Sequence, residues 1–212
     1  MEETAGVADR AVVRPDYQAL ILATGGLLSP AECVALAEAA ATATGPALEV
    51  GNYTGLSTLV LNHALPASAP LITVDTHEWR DTARAFLDHV RRYGHQALRS
   101  VQQPYQAFLQ DYTGPPFHFV FYDGPHCPTE CETFWRLLTP HLAPEAQVLV
   151  DDADWASMAQ LGERLAQAGF VDRTGRPLVR HAIAYTTGDP QVDLDLGKRH
   201  PDTFTLARWT RP

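Results

Sequence analysis

Three aspartates dominate the chemistry this chain could perform. Asp123, Asp151 and Asp152 each follow a short apolar run, and His126 stands three positions after the first of them. If those runs are neighbouring strands, the three carboxylates converge. Left bare, such a cluster is unfavourable, and one member must take up a proton. A hard divalent cation relieves the repulsion, and oxygen-only ligands with open positions suit magnesium or calcium rather than zinc. An imidazole at His126 could take a proton from a hydroxyl, because with an ordinary pKa near ~6.5 it is neutral at working pH. The plainer readings are that Asp151 and Asp152 sit solvated while Asp154 caps a helix beginning at Trp155, and that His126 donates to a backbone carbonyl in the turn at Pro125.

A second group lies upstream, in Ala47-Leu-Glu-Val-Gly-Asn-Tyr-Thr-Gly-Leu-Ser57. Leu48 and Val50 are strand residues, Gly51 and Gly55 stand four apart, and Leu56, Leu59 and Val60 continue as a helix. Such a turn lets backbone approach a ligand closely and aims helix N–H groups at it. The glycine spacing is not the G-x-G-x-x-G of dinucleotide-binding turns. Position 53 is a tyrosine, and Glu49 places a carboxylate at the strand's end.

These residues need elements to position them. Alternating patterns predict strands at 47–51, 71–75, 97–101, 117–122 and 147–151, and helices at 55–63, 79–92, 104–111, 129–138 and 155–168. Upstream, a helix is predicted over 17–23. A second runs to Ala43, announced by the capping box Ser29-Pro30-Ala31-Glu32. Continuous apolar runs such as Phe117-His-Phe-Val-Phe121 suit strands covered on both faces, hence a doubly wound, mostly parallel α/β sheet. The tail breaks the rhythm, with strands predicted at 181–185 and 203–209 as an antiparallel hairpin. Ligands of such sheets bind beyond the carboxyl ends of the strands, and four of the five strands carry a carboxylate there. Asp75, closing the second, could accept hydrogen bonds from both ribose hydroxyls of an adenosine moiety, or cap the next helix, a task Thr76 or Asp81 could also perform. Gln102 and Gln103 follow the third strand, where a solvated loop is an equal reading.

The ordered motifs resemble class I S-adenosylmethionine-dependent methyltransferases of the catechol O-methyltransferase-like and antibiotic sugar O-methyltransferase-like branch, over roughly residues 45–210. That branch carries E-x-G-x-x-x-G with a following serine, matched by Glu49, Gly51, Gly55 and Ser57. The resemblance implies a seven-stranded sheet ending in an antiparallel hairpin. It implies a cofactor, S-adenosyl-L-methionine, held by Glu49, Gly51, Asn52, Tyr53, Gly55, Ser57, Asp75, Gln102, Gln103 and Asp123. It also implies magnesium or a similar divalent cation on Asp123, Asp151 and Asp152. The family pair after the fifth strand is Asp-Asn, whereas sugar-modifying relatives use Asp-Asp, as here. His126 stands where the catechol enzyme has its lysine base, so His126 and Asp123 are the implied catalytic residues.

Composition sets the outer limits. At 212 residues, with 45% hydrophobic and 19% charged, the chain suits one sizeable globular domain, with 1–44 as a helical segment packing on or lidding a core at 45–212. A net charge of −9 argues against a nucleic-acid partner, and no apolar run is long enough to span a bilayer. The acidic start, Met1-Glu-Glu, lacks a signal peptide's basic region, so a cytoplasmic location is expected. Cys33, Cys127 and Cys131 form no disulfide framework or zinc spacing and read as packing residues. Trp79 and Trp155 could stack on a ligand ring, though core packing is the commoner use. The expected partner is a small-molecule hydroxyl acceptor, with a phenol, a catechol or a sugar of a secondary metabolite implied. A homodimer stands beside the monomer as an assembly. Two rivals to that function are a metal-independent methyltransferase of the same fold and a cofactor-binding protein without turnover.

Overall fold

The run Phe117–Tyr122 is apolar on both sides because both sides are covered. In the computed structural model, which describes residues 15–79, 81–175 and 205–211, Phe119 and Phe121 point into one core cluster with Leu36, Leu59 and Leu149. Val120 and Tyr122 point into a second, with Phe108, Phe134, Val148 and Leu161. A sheet with helices on each face has this pattern.

The strands are β1 (Ala47–Val50), β2 (Leu71–Asp75), β3 (Leu98–Gln102), β4 (Phe117–Tyr122), β5 (Leu142–Val150), β6 (Val171–Asp172) and β7 (Ala207–Thr210). They form one seven-stranded sheet in the order β3-β2-β1-β4-β5-β7-β6. The first five pair in parallel, while β7 runs antiparallel to both β5 and β6. Strand order reverses at β1 and β4, so the crevice for a ligand opens beyond their carboxyl ends.

Helices α1 (Tyr17–Thr24) and α2 (Pro30–Ala40) precede the sheet, and α3 (Leu56–Ala64), α4 (Thr82–Tyr93), α5 (Tyr105–Asp111), α6 (Pro128–Leu138) and α7 (Ala156–Gln167) alternate with it. The capping box forms as its sequence requires. Ser29 Oγ accepts from the Glu32 N–H at 3.2 Å, and Glu32 Oε2 accepts from the Ser29 N–H at 2.8 Å. Leu20, Leu36 and Ala39 share a core cluster with α3 and β1, so α1 and α2 are built into the body of the protein.

Several boundaries differ from the sequence pattern. β5 begins at Leu142, five positions before the expected start, paired to Phe117 across a register shift. α4 begins at Thr82 because Asp81 is left-handed, at φ 33°. α2 stops at Ala40, where the Thr42 and Ala43 N–H groups fall back on Ala39 and Ala40 carbonyls. The antiparallel terminus is present with β7 as one arm, and β6, two residues long, is its neighbour. The strand predicted at 181–185 lies outside the described residues. No described helix is long and apolar enough to cross a membrane.

Candidate active site

Three loop N–H groups align the site. Gly51 donates to the Val74 carbonyl (3.0 Å), Asp123 to Val50 (2.8 Å) and Asp151 to Tyr122 (2.9 Å), so each residue leaves its strand locked to the neighbouring one. Gly51 has φ 84°, and a Cβ there would sit 2.0 Å from the Asp123 carbonyl oxygen. Only glycine lets the two loops approach this closely. Tyr53 and Gly55 are also left-handed, at φ 45° and 98°. The turn thus winds back toward the start of α3, whose N-cap offers no side-chain hydrogen bond to the first turn.

Asp75 holds this turn from below. Its Oδ2 accepts from the Asn52 and Tyr53 N–H groups at 2.8 and 3.0 Å, and Oδ1 accepts from the His77 N–H at 2.7 Å. It does not cap α4, and Asp81 makes no capping hydrogen bond either. The Asn52 amide donates to Thr73 Oγ1 at 2.8 Å, while its Oδ1 is buried without a donor. Glu49 is fully buried. Its Oε2 accepts from Thr58 Oγ1 at 2.6 Å and Oε1 has no donor. Burial pushes its carboxyl up to about 7, so an incoming cation or donor at Oε1 would favour the ionised form. Ser57 is buried in the first turn of α3. Gln102 is exposed and donates to the Thr76 carbonyl at 3.3 Å, with Gln103 half-buried beside it.

Beyond β4 and β5 the acidic residues gather. Asp123, Asp152 and His126 bring ligand-type atoms within 4.8 Å of one another. His126 Nε2 lies 3.2 Å from Asp152 Oδ2 and 4.0 Å from Asp123 Oδ1, without hydrogen-bond alignment to either. Asp151 turns elsewhere: its Oδ1 receives the Thr205 hydroxyl at 3.0 Å. Burial and then repulsion from neighbouring carboxylates (Asp151 and Asp152 on Asp123; Asp152 and Glu32 on Asp151) raise the carboxyls of Asp123 and Asp151 well above the usual range, and burial with Asp154 raises Asp152. Burial lowers the His126 imidazole instead. Carboxylates beside an imidazole raise its pKa, but here burial prevails. The carboxylates here are themselves biased toward the protonated form, burial favours the neutral ring, and Nε2 is without a hydrogen-bond partner.

Asp154 does not cap α7. The N-cap is Trp155, no side chain caps it, and Asp154 Oδ1 is buried without a partner. Trp155 packs against His126, ring centroids 5.1 Å apart, while Trp79 is exposed. Cys33 and Cys131 are buried as expected of packing residues, but Cys127 is exposed and reaches Thr129 Oγ1 at 3.3 Å. Two site residues have no site signal in the sequence. Glu32 reads only as a capping-box member and Thr205 as a strand residue, yet they meet beside Asp151.

A strand-order reversal with a glycine turn on β1, an acid closing β2 and acids after β4 and β5 is the architecture of class I methyltransferases. The family model for a methyltransferase domain matches residues 48–153, half of the chain, and the chain belongs to that family. It is an enzyme that transfers methyl groups. Solved structures similar in fold include the O-methyltransferase from Bacillus cereus in complex with SAH, at 13% identity and TM-score 0.63 over 92% of this chain and 88% of that one. Another is the O-methyltransferase TomG from Streptomyces achromogenes, involved in tomaymycin synthesis and solved with SAM, at 17% and 0.57 over 94% and 91%. A third is the SAH-bound methyltransferase PaMTH1 from Podospora anserina, at 14% and 0.60 over 93% and 88%. No curated protein matches the chain in sequence.

Proposed function

We propose that this enzyme uses S-adenosylmethionine to methylate a hydroxyl oxygen of a small molecule, a phenol, a catechol or the sugar of a secondary metabolite. The observation that carries the reading is the adjacency of two sites at one sheet edge. The Asp75-held turn lies at the strand-order reversal, and the free imidazole of His126 stands between Asp123 and Asp152 after β4 and β5. Asp75 is the partner for the ribose hydroxyls, Gln102 and Gln103 flank the adenine, and Glu49 with the 51–57 turn receives the amino-acid end. The cofactor, when bound, supplies a methyl group on a sulfonium, so the protein's work is positioning and proton removal. His126 Nε2 would take the hydroxyl proton as the acceptor oxygen bonds to the methyl carbon and the sulfur leaves, and the imidazolium so formed would favour the ionised form of Asp152, 3.2 Å away, and of Asp123.

A divalent cation, magnesium foremost, fits the same edge. Carboxylate oxygens of Asp123 and Asp152 lie within 4.8 Å of one another at this edge, Asp151 adjoins Asp152 in the chain, and the raised affinities of all three for protons mark a place that favours added positive charge. The chemistry such a cation supplies when bound is Lewis-acid lowering of a hydroxyl's pKa. Treatment with chelator is expected to abolish turnover and added magnesium to restore it, with little change in S-adenosylhomocysteine binding. Normal turnover of Asp152→Ala in chelator-treated buffer would remove the cation from the account and leave His126 as the sole activator.

Asp75→Ala should weaken S-adenosylmethionine binding by ~2–3 kcal/mol, because it removes charge-assisted contacts to the ribose and releases the Asn52 and Tyr53 N–H groups. Unchanged affinity by calorimetry would sink the ribose assignment. The function itself is tested by titrating S-adenosylmethionine beside a methyl-transfer assay over phenols, catechols and sugars. Binding with transfer to at least one hydroxyl is expected. Binding with no transfer to any acceptor would point to a cofactor-binding protein without turnover.

A further inference from the structure

We infer that Glu32 and Thr205 are positioning residues for the reaction, a latch through which the N-terminal helices orient Asp151 and the loop that carries Asp152. The inference rests on the methyl-transfer reading above. A capping box asks for one glutamate oxygen, and Glu32 supplies Oε2 to the Ser29 N–H at 2.8 Å. Such a residue could sit at the surface, yet Glu32 is only 3% exposed. A buried carboxylate is tolerated when it is fully hydrogen-bonded. The additional donors come from the other end of the chain. Glu32 Oε1 accepts from both the N–H and the hydroxyl of Thr205, each at 2.8 Å.

Thr205, 2% exposed, is in turn committed to the site. Its carbonyl accepts from the Ala153 N–H at 3.0 Å, and its Oγ1 lies 3.0 Å from Asp151 Oδ1. The hydroxyl has one proton and donates to one of the two carboxylates at a time, but Oγ1 lies within hydrogen-bond distance of both and so joins Glu32 to Asp151. Between Asp151 and Ala153 lies Asp152, left-handed at φ 50° without being glycine, and its Oδ2 lies 3.2 Å from His126 Nε2. A backbone in that region persists only where its surroundings hold it. The holding groups are the Tyr122 carbonyl, which takes the Asp151 N–H, and Thr205, whose carbonyl takes the Ala153 N–H and whose hydroxyl reaches the Asp151 side chain. Glu32 therefore acts on the reacting edge without touching it.

The test compares Thr205→Val, which keeps the shape and loses the hydroxyl, with Thr205→Ser, which keeps the hydroxyl, and with Glu32→Gln, which keeps the size and turns one oxygen into a donor. Hydrogen exchange of the segment 150–156 should accelerate at least tenfold in Thr205→Val and Glu32→Gln and return to the wild-type rate in Thr205→Ser. In the same two variants kcat should fall by roughly 10–100-fold, the usual effect of losing a partner that orients a reacting group, while the Kd for S-adenosylhomocysteine changes less than about threefold. Unchanged exchange would overturn the latch. Faster exchange with unchanged kcat would show a purely structural contact and overturn the positioning role. A wild-type protein that binds cofactor but methylates nothing would fault the reaction class instead, and exchange alone would then decide whether the latch exists.

Discussion

Replacing His126 with glutamine is expected to lower kcat by roughly 10²–10⁴, the usual contribution of one general base, with cofactor affinity intact. Glutamine keeps a polar side chain of similar reach but cannot take a proton. The wild-type ring is suited to that task by its surroundings. Nε2 is buried with no donor or acceptor aligned to it, Trp155 packs on the ring, and Asp152 and Asp123 stand 3.2 and 4.0 Å away. Burial lowers the imidazole's pKa, so the base form persists to lower pH than for an ordinary histidine. The acid limb of kcat/KM should therefore lie below ~6.5, with activity flat above it and lost as pH falls through it. Near wild-type turnover in His126→Gln would reduce His126 to a turn residue.

The second large effect is expected from Gly51→Ala. The added Cβ would lie 2.0 Å from the Asp123 carbonyl oxygen, and that atom belongs to backbone locked to β1 through the Asp123 N–H. The φ of 84° adds strain on the order of 1–3 kcal/mol for any residue with a side chain. Relief requires the β1 and β4 loops to separate, which opens the cofactor turn and the acidic edge together. S-adenosylmethionine affinity should drop more than about tenfold, some ~1.4 kcal/mol or beyond, and the melting temperature should fall. Gly55→Ala is the milder companion: its φ of 98° is also strained, but its Cβ meets the Phe86 ring at 3.1 Å and the nearest backbone atom only at 3.9 Å. Gly51→Ala with wild-type affinity and melting temperature would mean that the loops are not coupled there.

Much of the fold is legible from local pattern. The runs at β2, β4 and the end of β5 are apolar on consecutive residues because both sheet faces are covered, and the Ser29 to Glu32 box marks the start of α2. The site's outline is legible because its residues stand just past the end of each strand. The hidden part depends on tertiary geometry. β6 is too short to show a period, and Pro144 with Glu145 disguises the early part of β5. The left-handed Asp81 delays α4 with no glycine to announce it. Asp75 reads as a ligand partner, yet no local signal says that it also holds the Asn52 and Tyr53 N–H groups. The three-aspartate cluster is legible as charge, but the division of labour within it is not. Asp151 turns to Thr205, itself joined to Glu32 across 173 positions of chain, and His126 takes the place beside Asp123 and Asp152.

The central claim is that this edge moves a methyl group from S-adenosylmethionine to a hydroxyl oxygen. The most direct measurement uses cofactor carrying carbon-13 in the methyl group, incubated with the enzyme and a panel of phenols, catechols and sugars, and reads the labelled carbon's chemical shift in the product. The account predicts a label bonded to oxygen, appearing roughly 10²–10⁴-fold more slowly with the His126→Gln enzyme. A label bonded to nitrogen or to carbon, or one that never leaves the cofactor while binding is intact, would contradict it.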